Sequence, residues 1–218
     1  WWIMPEKASM ASRPFFSYLA FGATHSPHQA PEAFLGKYRG RYDAGWDVIR
    51  QRWFEKQIAT GIVPPGTELS PRNPGIPAWS ELSGDERKLF ARMQEAFAAF
   101  LDHTDAQIGR LLDFLRATGE LDNTLVVLMS DNGASQEGGG HGMTNELAFF
   151  NRLRRRAPDM LEQIDAIGGP NLYNNYPKGW AQVGNCPLRF YKQNTYEGGI
   201  RDPLIVHWPG RLANPGSI

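Results

Sequence analysis

Ser83 and Glu86 form a Ser-x-x-Glu capping box, and the stretch behind them constrains the fold more than any other. Leu89, Met93, Phe97, Phe100, Leu101, Ile108, Leu111, Leu112 and Leu115 recur at helical spacing along one face. The pattern predicts one long helix that runs to Thr118 and stops at Gly119. After the turn residues Asp122-Asn123, residues 124–129 form a short continuous apolar run, which reads as a buried parallel strand.

Residues 14–21, Pro-Phe-Phe-Ser-Tyr-Leu-Ala-Phe, are aromatic-rich and apolar on both faces, as a strand buried between helical layers requires. A polar loop, Thr24-His25-Ser26-Pro27-His28, follows. Trp46, Ile49, Trp53 and Ile58 give an amphipathic helix over residues 43–60, ending before Gly61. Residues 63–77 contain Pro64, Pro65, Pro71, Pro74 and Pro77 without periodicity and read as a connecting loop. Residues 134–185 are irregular apart from a short helix around residues 145–156. A last strand, residues 203–208, follows a turn at Gly198-Gly199. Strand, long helix and strand imply an α/β fold whose central, largely parallel sheet is sandwiched by helices. Ligands of such sheets gather beyond the carboxyl ends of the strands, where His25 and the Asp131-Asn132 pair lie.

With 218 residues and 41% hydrophobic content, the chain can bury one sizeable core. Lys plus Arg and Asp plus Glu both number 23, so no net field steers it to nucleic acid or an anionic membrane, and an anionic substrate must be held by local cations. No apolar run approaches the roughly 20 residues that span a bilayer. The single cysteine, Cys186, excludes an intrachain disulfide. Trp1-Trp2-Ile3-Met4-Pro5 lacks the layout of a signal peptide, and both ends read as cuts through a larger protein.

Asp131 and Asn132 offer two hard oxygen donors at a strand end, which suit Ca²⁺ or Mg²⁺ better than zinc. Alone, Asp-Asn-Gly more often marks a turn. Lys192 reads as a donor to a sulfate or phosphate oxygen, or as a solvated surface lysine. His25 reads as a proton donor to a leaving oxygen, or as a partner of its own loop.

A resemblance changes these weights. Residues 14–21 followed by Thr24-His25-Ser26-Pro27-His28-Gln29-Ala30-Pro31 resemble the strand and active-site histidine loop of type I, formylglycine-dependent sulfatases, of the alkaline-phosphatase-like superfamily. Residues 122–134, through Ser130-Asp131-Asn132-Gly133-Ala134, resemble that family's second metal-binding segment. Lys192 with Tyr196-Glu197-Gly198-Gly199-Ile200-Arg201-Asp202-Pro203 resembles its active-site lysine segment. The resemblance implies an arylsulfatase-like sulfuric ester hydrolase that cleaves a small-molecule or saccharide sulfate ester to an alcohol or phenol plus sulfate. Asp131 and Asn132 would ligate a divalent cation, calcium first and magnesium second. His25 and Lys192 would bind the ester and act at the departing oxygen, and Arg201 would be a structural ion-pair partner. Gly198 and Gly199 would shape a turn. His28, His103, His141 and His207 match no family position.

In that family the nucleophile is a formylglycine made from the cysteine of a Cys-x-Pro-x-Arg motif. Cys186-Pro187-Leu188-Arg189 has Pro and Arg one position too early and lies downstream of Asp131, so Cys186 is not expected to be the nucleophile. The formylglycine and remaining metal ligands are expected in an upstream segment. Residues 1–218 then form a partial catalytic domain, inactive alone. Two other readings stay open: a phosphonate monoester hydrolase or phosphodiesterase of the same superfamily, and a non-catalytic fragment. The aromatic segment 173–180 either lines an aryl pocket or packs as a surface loop.

Overall fold

The computed structural model describes residues 13–153, 156–214 and 216–218, the Phe149 side chain apart. The reading of residues 1–5 lies outside them. The helices are α1 (Glu32–Leu35), α2 (Gly45–Ala59), α3 (Gly84–Ala117), α4 (Glu146–Phe150), α5 (Ala157–Leu161), α6 (Lys178–Gly184) and α7 (Glu197–Ile200). The strands are β1 (Val126–Met129) and β2 (Leu204–His207).

Helix α3 has the ends its sequence predicts. The Ser83 hydroxyl accepts from the Glu86 N–H at 3.2 Å, and the Glu86 carboxylate accepts from the Ser83 N–H at 2.9 Å, so two otherwise unpaired donors are satisfied together. At the other end Gly119 adopts a φ of 72°. Its N–H reaches the Arg116 carbonyl at 3.1 Å, and the Glu120 N–H reaches that of Leu115 at 2.9 Å. Both bonds belong to the Schellman closure that a left-handed glycine permits.

The core is helical and aromatic. Trp46 of α2 meets Trp79 edge-on at 4.8 Å and Trp180 of α6 at 5.9 Å, and stacks on Phe90 of α3 at 6.0 Å. Offset and edge contacts of this kind add to burial itself. The Trp180 indole donates to the Phe90 carbonyl at 2.8 Å and the Trp46 indole to that of Pro77 at 3.2 Å, so neither buried N–H is left unpaired. Residues 89–99 of α3 are enclosed nearly all round, and two charged residues there are paired. Arg92 contacts Glu95 at 3.3 Å and donates to the Ile167 carbonyl at 2.6 Å, while Glu95 accepts from the Gly40 N–H at 2.8 Å. Two loops are thereby tied to the helix.

The sheet differs from expectation. β1 pairs with β2 antiparallel, from Val126 opposite His207 to Met129 opposite Leu204, and these strands are the only sheet among the described residues. A parallel sheet needs hydrogen-bonded neighbours and helices over its faces. Here Met129 is 67% exposed and Leu204 60%. Residues 14–21 are not a buried strand: they pair with no strand, and Phe16 is 92% exposed and Tyr18 84%. The cover that their apolar pattern anticipates is absent from the described residues.

Two smaller departures concern loops. The helix expected around residues 145–156 is the shorter α4, with α5 beginning at Ala157. Gly198 and Gly199 lie inside α7 and not in a turn. A Cβ on Gly198 would overlap the Phe190 carbonyl, and one on Gly199 that of Asn194, so close packing requires both glycines.

Candidate functional site

The Asp131-Asn132-Gly133 segment leaves the end of β1 and runs alongside the segment that carries Lys192. The Ser130 N–H reaches the Pro203 carbonyl at 3.4 Å, the Gly133 N–H that of Gly199 at 3.3 Å, and the Lys192 N–H that of Ala134 at 3.1 Å. Asn185 joins the two runs. Its Oδ1 accepts from the Ala134 N–H at 2.9 Å, and its Nδ2 donates to the carbonyls of Phe190 at 3.0 Å and Gly198 at 2.6 Å. Both Asn185 and its role escaped the sequence reading, because an amide that satisfies backbone groups across a sequence gap leaves no local pattern.

His25 is exposed in its loop. Its Nδ1 bonds the Ser26 carbonyl at 2.8 Å, leaving Nε2 to face Glu137, whose Oε2 lies 3.6 Å away. The same Oε2 accepts from Lys192 Nζ at 3.2 Å. His25 and Lys192, 167 positions apart in sequence, therefore converge on one carboxylate oxygen. Burial alone would raise the Glu137 carboxyl, but the Ser135 hydroxyl, the Lys192 ammonium and His25 together hold it below the usual carboxylate range. The sequence reading missed Glu137, which sits between a turn motif and the run Gly138-Gly139-Gly140 and looks like loop.

Asp131 is exposed and Asn132 half-buried. Burial raises the Asp202 carboxyl, and the negative charge of Asp131 raises it further, so the two carboxylates are near enough to repel. An oxygen-only donor set with mutually repelling carboxylates suits a hard divalent cation. Among the described residues, however, no three His, Cys, Asp or Glu side chains gather into a cage around Asp131 and Asn132.

Cys186 is buried, and its thiol reaches the Arg50 carbonyl at 3.5 Å. Burial pushes the thiol up to about 11, against a smaller opposing pull from Arg50. The thiolate that nucleophilic attack requires is thus disfavoured. His28 is buried among Phe97, Phe100 and Tyr176 and belongs to the core. Arg201 pairs with Glu197 at 3.5 Å on the exposed side of α7. Of the aromatic residues in segment 173–180, Tyr176 and Trp180 are core residues and Tyr173 is exposed. No helix among the described residues is long and apolar enough to cross a membrane.

Comparison with known proteins gives this arrangement a family. The Sulfatase family model matches residues 3–216. An uncharacterized sulfatase of Schizosaccharomyces pombe is 38% identical over 199 residues, covering 91% of this chain and 35% of the relative. An arylsulfatase of Klebsiella aerogenes is 32% identical over 210 residues, covering 94% of this chain and 42% of the relative. Human N-acetylgalactosamine-6-sulfatase is 24% identical over 207 residues, covering 94% of this chain and 22% of the relative. The chain thus spans less than half the length of these curated relatives. The family carries an alkaline-phosphatase-like α/β fold, of which the described residues show the helices and one antiparallel strand pair. The chain belongs to the sulfatase family.

Proposed function

We propose that this chain forms part of the catalytic domain of a sulfuric ester hydrolase that cleaves an arylsulfatase-type ester to an alcohol or phenol plus sulfate. The observation that carries the reading is the convergence of His25 and Lys192 on Glu137 Oε2. Two donors aimed at one anionic oxygen, beside the Asp131-Asn132 turn, are what a sulfate group requires of a protein. Lys192 would hold a non-bridging oxygen by charge and hydrogen bonding. His25 would donate to the bridging oxygen as the sulfur–oxygen bond breaks, so that the alcohol leaves neutral.

Asp131 and Asn132 would contribute two oxygen ligands to a divalent cation, calcium before magnesium, which when bound draws the sulfate oxygens into place and offsets their charge. The nucleophile is expected from a formylglycine outside this chain, since buried Cys186 is unsuited to the role. The names of the relatives, an arylsulfatase and an N-acetylgalactosamine-6-sulfatase, support a sulfate ester of a phenol or a saccharide. The test is to assay the full gene product carrying this sequence on 4-nitrophenyl sulfate and on 4-nitrophenyl phenylphosphonate. Preferential sulfate release supports the reading; preferential phosphonate hydrolysis replaces it with the sister activity.

A further inference from the structure

The Glu137 carboxylate is fixed before any ligand meets it. Ser135 Oγ donates to its Oε2 at 2.9 Å and accepts from the Glu137 N–H at 3.1 Å, and Gln193 Nε2 donates to its Oε1 at 3.3 Å. The backbone carrying Lys192 is pinned as well: the Lys192 N–H donates to the Ala134 carbonyl, and Gln136 Nε2 donates to that of Lys192 at 3.3 Å. On either side, Phe190 and Gln193 adopt left-handed φ values of 64° and 73°. Non-glycine residues hold that conformation only where their surroundings over-determine it. The Lys192 and Glu137 side chains are only 23% and 24% exposed, so their contact is better shielded than an ordinary surface pair.

From these contacts we infer that Glu137 is a positioning residue which, through Oε2, sets the Lys192 ammonium and the His25 imidazole in the mutual placement that grips a sulfate group. The inference rests on the sulfatase reading for the role of those two donors, but the grip itself is a property of this chain. A carboxylate would repel the sulfate it helps to hold, so Glu137 acts through the cations it anchors and not on the substrate. Gln193 and Ser135 keep it from swinging toward the incoming anion.

Two measurements test this. In the full gene product, proton–nitrogen correlation spectra of the lysine ammonium groups should show Lys192 in slow exchange with water, and Glu137→Ala should remove that protection. An unchanged Lys192 signal in Glu137→Ala overturns the inference, whatever the enzyme does. In the full gene product, Glu137→Ala should lower kcat by about 10- to 100-fold, the size typical of groups acting through another side chain, with KM nearly unchanged. The isosteric Glu137→Gln, which retains an acceptor, should recover part of that loss. In a Lys192→Ala background, Glu137→Ala should cost less than it does alone, because one of the two groups it positions is gone. Full additivity of the two losses overturns the inference. Should Lys192→Ala leave turnover intact, the sulfatase assignment of Lys192 fails, and the ammonium spectrum still decides whether Glu137 holds it.

Discussion

The α-carbon of Gly133 rests against the carbonyl oxygen of Gly198, so that a methyl group on Gly133 would overlap that oxygen and approach Asn185 Nδ2 at 3.2 Å. The glycine after Asp131-Asn132 is therefore required by close approach of two chains. Its φ lies outside the left-handed region, so it does not serve the sharp turn that Asp-Asn-Gly suggests. Gly133→Ala should push the Asp131 segment from the Lys192 segment and cost about 1–3 kcal/mol, the usual penalty for overpacking. Urea unfolding of the 218-residue chain measures it, and an unchanged midpoint would contradict the packing described.

His28 offers a pH test. Burial among Phe97, Phe100 and Tyr176, with a smaller contribution from nearby His25, lowers its pKa from 6.5 to about 3. The folded protein keeps the ring neutral while the unfolded chain binds a proton below pH 6.5. The contribution to stability is thus complete above pH 6.5 and is lost as pH falls from there toward 3. At 1.36 kcal/mol per pKa unit the full loss approaches about 5 kcal/mol. Unfolding midpoints between pH 7 and pH 4 should fall more steeply for the wild type than for His28→Phe. Parallel curves would show that the ring titrates freely in the fold.

How legible this molecule is in its sequence depends on how local each signal is. Helix α3 is written in Ser83, Glu86 and Gly119, and the structure has the cap at each end. The strand at residues 203–208 and the α2 helix likewise follow from period and punctuation within a few residues. The pairing of the sheet is less legible, because an apolar run such as residues 124–129 specifies that a strand wants cover, but not which neighbour pairs with it or in which direction. Glu137 and Asn185 were invisible for a related reason. Asn185 reaches back to Ala134, and no spacing rule links Glu137 to His25 and Lys192.

The cap on α3 can be tested by itself. Ser83→Ala removes the acceptor for the Glu86 N–H and the hydroxyl that donates to the Glu86 carboxylate at 2.9 Å. A loss of about 1 kcal/mol is expected from chemical denaturation. A neutral substitution would mean that the helix start is held by tertiary packing alone.

Cys186 should behave as a buried structural thiol. With its pKa pushed up to about 11 by burial, it should react with a thiol reagent only as fast as the chain unfolds. Cys186→Ala should leave the turnover of the full gene product at the wild-type level. Rapid modification of the native protein, or activity abolished by that substitution, would make this cysteine a nucleophile.

The central claim is that His25 and Lys192 act together on a sulfate ester, and the most direct measurement is the kcat of the full gene product on 4-nitrophenyl sulfate with each replaced by Ala. Removing one preorganised donor to developing charge typically lowers the rate by about 10²- to 10³-fold. Each variant should show a loss of that size with its unfolding midpoint nearly unchanged, since His25 is exposed and Lys192 lies at the margin of the core. Near-wild-type kcat in both variants would contradict the account.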